Sequence, residues 1–224
     1  MCATYFIDDG TAMEMLEIIN ALNQKFGYET LTYDQIYPNG VSDPRDVYPG
    51  NTAPIGAVEN EKITVLTPAW GFPVKDNQKK AFNARAENVK KYGVWKEAYA
   101  SRRAFAPAEG FYEFKKVPGG KAERYYFSDP DGKLLFMAAL LKTAEDKEGN
   151  PREVYTIITT DAGDSVADIH DRMPLLLDSE ELLLWMTDQD YADSVLDRAG
   201  RRLVRVLSPK PKKESEPEQT SLFK

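Results

Sequence analysis

The sequence predicts an α+β fold in a single domain, with a central antiparallel, barrel-like β-sheet flanked by helices. Many short segments rich in Phe, Tyr, Ile and Val are separated by Gly, Pro and Asp turns, whereas few segments show helical periodicity. The 224 residues are 42% apolar, which is enough for one sizeable core and short for two full domains. No glycine pattern of a nucleotide-binding fold and no internal repeat occurs in the sequence.

The first elements are a strand and a helix. Residues 2–7 alternate in the manner of a β-strand. Thr11 and Glu14 have the spacing of a capping box, so we expect the helix to begin there and to end at Gly27. Its apolar stripe consists of Leu16, Ile19, Leu22 and Phe26. The stretch 28–51 is rich in Pro and Gly and is predicted to be a loop.

The rest of the chain alternates short strands with turns and a few helices. Strands are predicted at 54–58, 62–67, 103–107, 110–116, 123–128, 134–141, 153–160 and 202–207. Helical segments are predicted at 86–101, 179–186 and 191–199. After Ser208 the composition changes to Pro, Lys and Glu, which predicts a folded domain over 1–208 and a disordered tail over 209–224.

Composition excludes several classes of function. A single cysteine, Cys2, and a single histidine, His170, exclude a disulfide framework and a multi-histidine metal cluster, so we expect no metal and no cofactor. Neither an apolar run of transmembrane length nor a signal peptide is visible, which favours a cytoplasmic protein without a membrane partner. The sequence gives no oligomeric state, and a monomer is the default expectation. The net charge of −7 argues against a nonspecific nucleic-acid coat but permits a local basic groove.

Cys2 directly follows the initiator Met1, and this position gives it a distinct chemistry. If Met1 is removed, a free α-amine and a thiol lie on one residue, with pKa values near ~7.7–8.0 and ~8.5. The amine can condense with an aldehyde, and the thiol can then close a stable thiazolidine ring. The alternative is that this lone cysteine is a small buried hydrophobic residue.

Six short motifs occur in order along the chain. They are Met1-Cys2, Asn51-Thr52-Ala53-Pro54, Trp70-Gly71, Asn83-Ala84-Arg85, Gly110-Phe111-Tyr112-Glu113 and His170-Asp171-Arg172-Met173-Pro174. In this combination the chain resembles the SRAP family, the SOS response-associated peptidases, which covalently trap abasic sites in DNA. The resemblance extends to about Ser208. It implies the SRAP fold for the domain and an abasic-site crosslinking enzyme, for which peptidase- or lyase-type descriptions are expected.

The resemblance also implies roles for four residues that would carry the chemistry. Cys2 would form the crosslink, and Asn83 would hold the reacting terminus and the sugar. Glu113 would act as the acid and base that opens the abasic deoxyribose and releases water. His170 would lie beside a sugar hydroxyl. Taken alone, each side chain also has an ordinary structural interpretation as a surface carboxylate, a core histidine or a turn-capping amide.

DNA contacts follow from the same resemblance. Arg85 and Arg172 would bind backbone phosphates of single-stranded DNA through their guanidinium forks. We expect Trp70 and Phe72 to be exposed and to stack on bases, with a core position as the alternative for Trp70. Arg85 and Arg172 are predicted to form the centre of a basic strip that binds DNA. We expect this basic strip to extend to Arg102, Arg103 and Lys90.

Two positions depart from the usual family pattern. Thr4 stands where the family commonly has an arginine on a phosphate, and Phe114 stands where Trp is frequent. Neither change removes a reactive group. The loss of the arginine affects the expected strength of DNA binding rather than the covalent chemistry.

The predicted tail carries a second motif. Gln219-Thr220-Ser221-Leu222-Phe223 resembles the pentapeptide that binds the bacterial sliding clamp, with Gln219, Leu222 and Phe223 as its anchors. A random tail is the alternative. For the whole chain, two further hypotheses stay open: a cysteine-type (auto)peptidase using Cys2 and His170, and a noncatalytic module that reaches DNA only through the clamp.

Overall fold

The computed structural model describes residues 4–36, 45–74, 79–146 and 148–208. The strands within this part of the chain are β1 (Thr4–Ile7), β2 (Arg45–Val47), β3 (Ile55–Glu59), β4 (Lys62–Leu66), β5 (Ala69–Trp70), β6 (Phe72–Val74), β7 (Lys79–Ala81), β8 (Asn83–Arg85), β9 (Arg103–Ala108), β10 (Gly110–Lys115), β11 (Glu123–Ser128), β12 (Leu135–Glu145), β13 (Pro151–Asp161), β14 (Arg172–Pro174), β15 (Leu176–Leu177) and β16 (Val204–Leu207). The helices are α1 (Asp9–Lys25), α2 (Tyr33–Ile36), α3 (Gly93–Ser101), α4 (Leu182–Thr187) and α5 (Gln189–Val195), with 3₁₀ turns at Ala86–Asn88 and Ser179–Glu181. None of these helices is both long and apolar enough to cross a membrane.

Most strands belong to two sheets. A five-stranded antiparallel sheet has the order β16-β11-β10-β1-β2. A nine-stranded sheet follows the path β14-β13-β12-β9-β3-β4, with β5 and β8 parallel to β13 and β15 antiparallel to β12. A separate pair consists of β6 and β7. The predicted α+β class with a mainly antiparallel central sheet is confirmed, although the strands form two large sheets and this pair rather than one closed barrel.

Side-chain alternation along the larger sheet divides the interior into two layers. Met137 and Ala139 of β12 belong to the same apolar cluster as Phe111 of the five-stranded sheet, and we call this layer the inter-sheet core. Ala138 and Leu140 point the other way and pack with residues of α1, α3, α4 and α5. Helices therefore cover one face of the larger sheet, and the smaller sheet covers the other.

The segment from β14 to β15 fills the gap where β12 and β13 separate. Its first half pairs with β13 and its second half pairs with β12. Leu175 joins the two strands, since its N–H donates to Ile158 O at 2.9 Å and its carbonyl accepts from Ala138 N–H at 2.8 Å. This arrangement fixes the residues just before β14 at the end of β13.

The predicted start of α1 was wrong. The N-cap is Asp8, whose Oδ1 accepts from Thr11 N–H at 2.9 Å, while Thr11 Oγ1 accepts from Asp8 N–H at 3.0 Å. A carboxylate at the N-cap and a threonine three residues later form a reciprocal capping box, so the helix begins before the predicted Thr11–Glu14 pair. It ends before Gly27, as predicted.

Two other predicted segments differ from the structure. The stretch 28–51 was predicted to be a loop, but it contains α2 and β2; its residues 37–44 lie outside the described part. The helical segment 86–101 divides into a 3₁₀ turn and α3. The strand at 123–128 has the predicted bounds, because its alternation and its flanking turns are both local signals.

Gly110, at the start of β10, gives a test of this packing. A Cβ there would lie 2.4 Å from Phe127 O and 2.5 Å from the Tyr126 ring. We therefore expect Gly110→Ala to lower the free energy of unfolding by about 1–3 kcal/mol, measured by urea denaturation. Gly93→Ala is the control, because a Cβ at Gly93 would meet nothing within 4 Å. Equal stability of the two variants would contradict the packing at β10.

Candidate functional site

Glu113 is a carboxyl group held almost entirely away from water. It lies on β10 opposite Tyr125, on the same face of the strand as Phe111, and is 2% exposed. Burial raises the pKa of Glu113 to about 7, and the negative charge of Asp171 acts in the same direction. The group can therefore both give and take a proton near neutral pH.

His170 lies in the connection between β13 and β14 and is partly buried. Its Nδ1 accepts from Arg172 N–H at 2.9 Å and also lies 2.9 Å from Asp171 Oδ1. These contacts require different protonation of Nδ1: the N–H needs an acceptor, whereas the carboxylate favours a donor. Burial lowers the pKa of His170, which favours the neutral ring with Nδ1 accepting and the proton on Nε2.

Asn83 and Arg85 stand at the two ends of β8, on one face of the strand. The strand pairs in parallel with β13, which places Asn83 opposite Ile157 and Arg85 opposite Thr159. Asn83 is partly buried, whereas Arg85 is exposed. The strand thus carries a partly buried amide and, two residues later, a solvent-exposed cation.

The fold links Glu113 with the His170 segment and places Asn83 at the same end of the larger sheet. β8 and β14 both pair with the last residues of β13, with Asn83 opposite Ile157 and Arg172 opposite Asp161. Asp171, next to His170, acts electrostatically on Glu113. The first described residue, Thr4, pairs with Tyr112, the neighbour of Glu113 on β10. Cys2 itself lies outside the described residues.

Arg172 is buried and already engaged. Nη1 donates to Asp161 Oδ1 at 2.5 Å, and Nη2 donates to Glu87 Oε2 at 2.9 Å and to Thr159 O at 2.6 Å. Its side chain is 8% exposed. The backbone N–H of the same residue holds His170. A phosphate could reach this guanidinium only by replacing one of its carboxylate partners.

Trp70 and Phe72 are fully buried, so the prediction that they are exposed was wrong. The Trp70 ring lies 5.3 Å from Tyr5 and 6.0 Å from Tyr155, and its Nε1–H donates to Phe82 O at 2.7 Å. Phe72 packs 5.4 Å from Trp95. Neither ring has a free face in this conformation on which a base could stack.

The predicted extension of the basic strip is also not supported by the packing. Arg103 is buried and donates to the carbonyls of Trp185 and Tyr99 at 2.5 and 2.7 Å. Arg102 pairs with Glu59 and Glu153 at 3.2 and 2.8 Å. Lys90 pairs with Asp193 at 3.1 Å. Arg103 therefore supports helix ends, and only Arg85 of the predicted strip combines exposure with proximity to the site.

Two carboxylates of this region had no predicted role. Asp171 influences Glu113 and His170, and Glu87 binds Arg172. Asp171 lies in the motif that begins at His170, and Glu87 follows Arg85 by two residues, so their position close to a predicted site residue was the available signal. Within the described part of the chain, no group of three or more His, Cys, Asp or Glu side chains is arranged to hold a metal ion. The predicted clamp-binding residues Gln219, Leu222 and Phe223 lie outside the described residues.

Comparison with known sequences identifies relatives. Residues 2–212 match the family described as SOS response associated peptidase (SRAP). The abasic site processing protein YoqW of Bacillus subtilis is 34% identical over 135 residues, which cover 58% of this chain and 60% of YoqW. YobE of the same species, also named an abasic site processing protein, is 31% identical over 184 residues, covering 75% of this chain and 81% of YobE. The abasic site processing protein YedK of Escherichia coli is 30% identical over 145 residues, which cover 64% of this chain and 64% of YedK.

Solved structures agree on the fold. A protein from Bordetella bronchiseptica superposes with a TM-score of 0.68 at 22% identity, covering 92% of this chain and 99% of that one. A protein from Bacteroides thetaiotaomicron gives a TM-score of 0.66, also at 22% identity, covering 84% and 88%. The family match extends over nearly all of the domain in which the six motifs lie. The chain therefore belongs to the SRAP family.

Proposed function

We propose that this protein captures abasic sites in single-stranded DNA as a covalent thiazolidine crosslink through Cys2, after removal of Met1, and so protects the site during replication. The observation that carries the proposal is Glu113, a buried carboxyl group with a pKa of about 7. It lies beside the strand that begins at Thr4 and near His170. Relatives named abasic site processing proteins support the choice of substrate.

Chain connectivity limits the distance between Cys2 and this carboxyl group. One residue separates Cys2 from Thr4, and consecutive Cα atoms are about 3.8 Å apart, so the two Cα atoms can be at most about 7.6 Å apart. Thr4 pairs with Tyr112, which precedes Glu113. The proposal therefore requires only that this short tether bring the α-amine of Cys2 to the Glu113 region.

The first chemical step needs proton transfer. A closed abasic sugar opens when its C1 hydroxyl loses a proton and its ring oxygen gains one, which leaves an aldehyde at C1. The amine of Cys2 adds to that carbon to give a carbinolamine. Protonated Glu113 can then supply the proton with which the hydroxyl leaves as water, forming an imine.

Ring closure completes the capture. The sulfur of Cys2 adds to the imine carbon, and the nitrogen receives the proton that the thiol gives up, so water is the only product released and no redox partner is needed. Asn83 would orient the amine and the sugar. Neutral His170 would donate from Nε2–H to a sugar oxygen, because its Nδ1 is held by Arg172 N–H.

DNA binding would use the cations beside this site. Exposed Arg85 follows Asn83 by two residues and can bind a phosphate next to the captured sugar. Arg172 would contact a second phosphate if its carboxylate partners yield. Buried Trp70 and Phe72 would support the wall of the site rather than stack on bases. Single-stranded DNA fits this scheme, since no partner base then covers the sugar.

A cysteine peptidase using Cys2 and His170 is the second candidate. The family description includes the word peptidase, and burial lowers the pKa of His170, which favours a neutral ring. To act as a general base, that ring would have to move its proton from Nε2 to Nδ1 and give up the Arg172 N–H. This candidate predicts cleavage of peptides and indifference to DNA. A fluorogenic peptide assay beside the DNA assay separates the two, because the crosslinking proposal predicts a DNA adduct without peptide turnover.

The adduct itself gives the first prediction for this function. Purified protein should lack Met1 by intact mass and should form a heat-stable complex with abasic single-stranded DNA on a denaturing gel. Cys2→Ala should lose that complex, because no thiol remains to close the ring, while borohydride should still trap an imine on the new terminal amine. A heat-stable adduct from Cys2→Ala would rule out ring closure, and normal crosslinking by an N-terminally extended chain would rule out the amine.

Glu113→Gln should slow crosslinking about 10²–10⁴-fold, measured by single-turnover kinetics, because the proton shuttle is lost. The wild-type rate should have a maximum near pH 7–8. As the pH rises, more of the Cys2 amine, whose pKa is about 7.7–8.0, becomes free and the rate increases. Over the same range Glu113, whose pKa is about 7, loses the proton that it must donate, and the rate decreases. The variant should show only the rise caused by the amine.

Glu109→Gln is the matched control for this experiment. Burial raises the pKa of Glu109 as it does that of Glu113. Glu109, however, precedes β10, and its carboxylate accepts a hydrogen bond from Thr11 Oγ1 at 2.8 Å. We expect the crosslinking rate of this variant to equal that of wild type. A Glu113→Gln rate within a factor of ten of wild type would leave Glu113 without a catalytic role.

We also propose that Gln219, Leu222 and Phe223 bind the bacterial sliding clamp. Because a short peptide must become ordered on binding, we expect a Kd of about 1 μM by calorimetry. Leu222→Ala with Phe223→Ala should abolish clamp binding and leave crosslinking in solution intact, with Ser221→Ala as the control. Unchanged clamp binding by the double variant would show that the tail does not use this motif.

A further inference from the structure

Glu87 interacts with both arginines that are proposed to bind phosphate. Its Oε2 accepts from Arg172 Nη2 at 2.9 Å, and its charge also interacts with that of Arg85. Partial burial alone would raise the pKa of Glu87, but hydrogen bonds and these two cations hold it below its usual value. The carboxylate is therefore ionised at neutral pH, and its side chain is 46% exposed.

The surroundings of Arg172 suit an exchange of anions. Its second carboxylate partner, Asp161, is 91% exposed. An open cavity of about 420 Å³ adjoins the pair, and its lining includes Glu87, Asp161, Arg172 and Asp197. Space for a phosphate thus exists beside the guanidinium, but carboxylates line that space. Glu87 is half-exposed, and an entering phosphate would take its place at Nη2, so the buried guanidinium would keep an anionic partner after the exchange.

We propose that Glu87 competes with DNA phosphate for Arg172 and Arg85, and so keeps the affinity for undamaged single-stranded DNA low. Carboxylate and phosphate oxygens use the same guanidinium donors, so both anions cannot occupy the Nη2 site together. DNA binds by displacing Glu87 from Arg172, and the displaced carboxylate turns toward solvent. The inference rests on the proposed DNA function and concerns how selective the noncovalent encounter is.

The test uses intact single-stranded DNA without an abasic site, so that covalent capture plays no part. Glu87→Gln should bind a fluorescent oligonucleotide about two- to fivefold more tightly at low salt, measured by anisotropy, because the competing charge is gone. The gain should shrink as added salt screens the site. Glu17→Gln, which neutralises an exposed carboxylate on α1, should leave the affinity unchanged.

A second variant tests the proposal independently, in case Glu87→Gln does not fold properly. Asp161→Asn removes the other carboxylate from the same guanidinium and should tighten binding in the same direction. If thermal unfolding shows that Glu87→Gln has lost stability, Asp161→Asn decides the question. Affinity that is unchanged or weaker in the folded variants would overturn the proposal and make Glu87 a structural clamp on Arg172. Crosslinking of abasic DNA by wild type is read separately, so failure of the proposed function remains distinguishable.

Discussion

The desolvation of the Glu113 carboxyl group is the constraint on which the rest of the site depends. A carboxylate that is 2% exposed, on the face of β10 that carries Phe111, gives up most of its hydration, and its pKa rises to about 7. Its strand lies between β11, where Glu113 is opposite Tyr125, and β1, whose Thr4 is opposite the preceding residue Tyr112. Gly110 lets β10 approach the backbone of Phe127 closely. The Gly-Phe-Tyr-Glu motif thus combines a packing requirement with an acid–base group.

The strand β13 supplies the second half of the arrangement. Its end receives β8 in parallel and β14 in antiparallel orientation, so segments about 90 residues apart in the chain meet. Arg172 joins them by binding Glu87, Asp161 and Thr159 O, while its own N–H holds His170. The residue that orders the histidine is therefore the same residue whose charge is proposed to attract DNA, and its carboxylate partners link the two tasks.

Local sequence patterns predicted the fold class and most strands. Which strands pair with each other, and which side chains those pairings bury, was not visible in the sequence. The strand 123–128 was predicted within its observed bounds because alternation and turns are short-range signals. The start of α1 was missed because Asp8 is a stronger cap than Thr11. Trp70 was expected at the surface, but three distant segments bury it. Asn83 and the His170 segment share one end of the larger sheet because β8 and β14 both pair with β13, and only the resemblance to a family linked them beforehand.

The most direct test of the central claim is the titration of Glu113 itself. The side-chain carboxyl ¹³C resonance of Glu113, assigned by comparison with Glu113→Gln and followed by NMR from pH 3 to 9, reports the protonation of that group. We expect a midpoint near 7. A midpoint near the ordinary value of about 4.3 would mean that the carboxylate is hydrated and fully ionised at neutral pH, and the proposed proton shuttle would be lost.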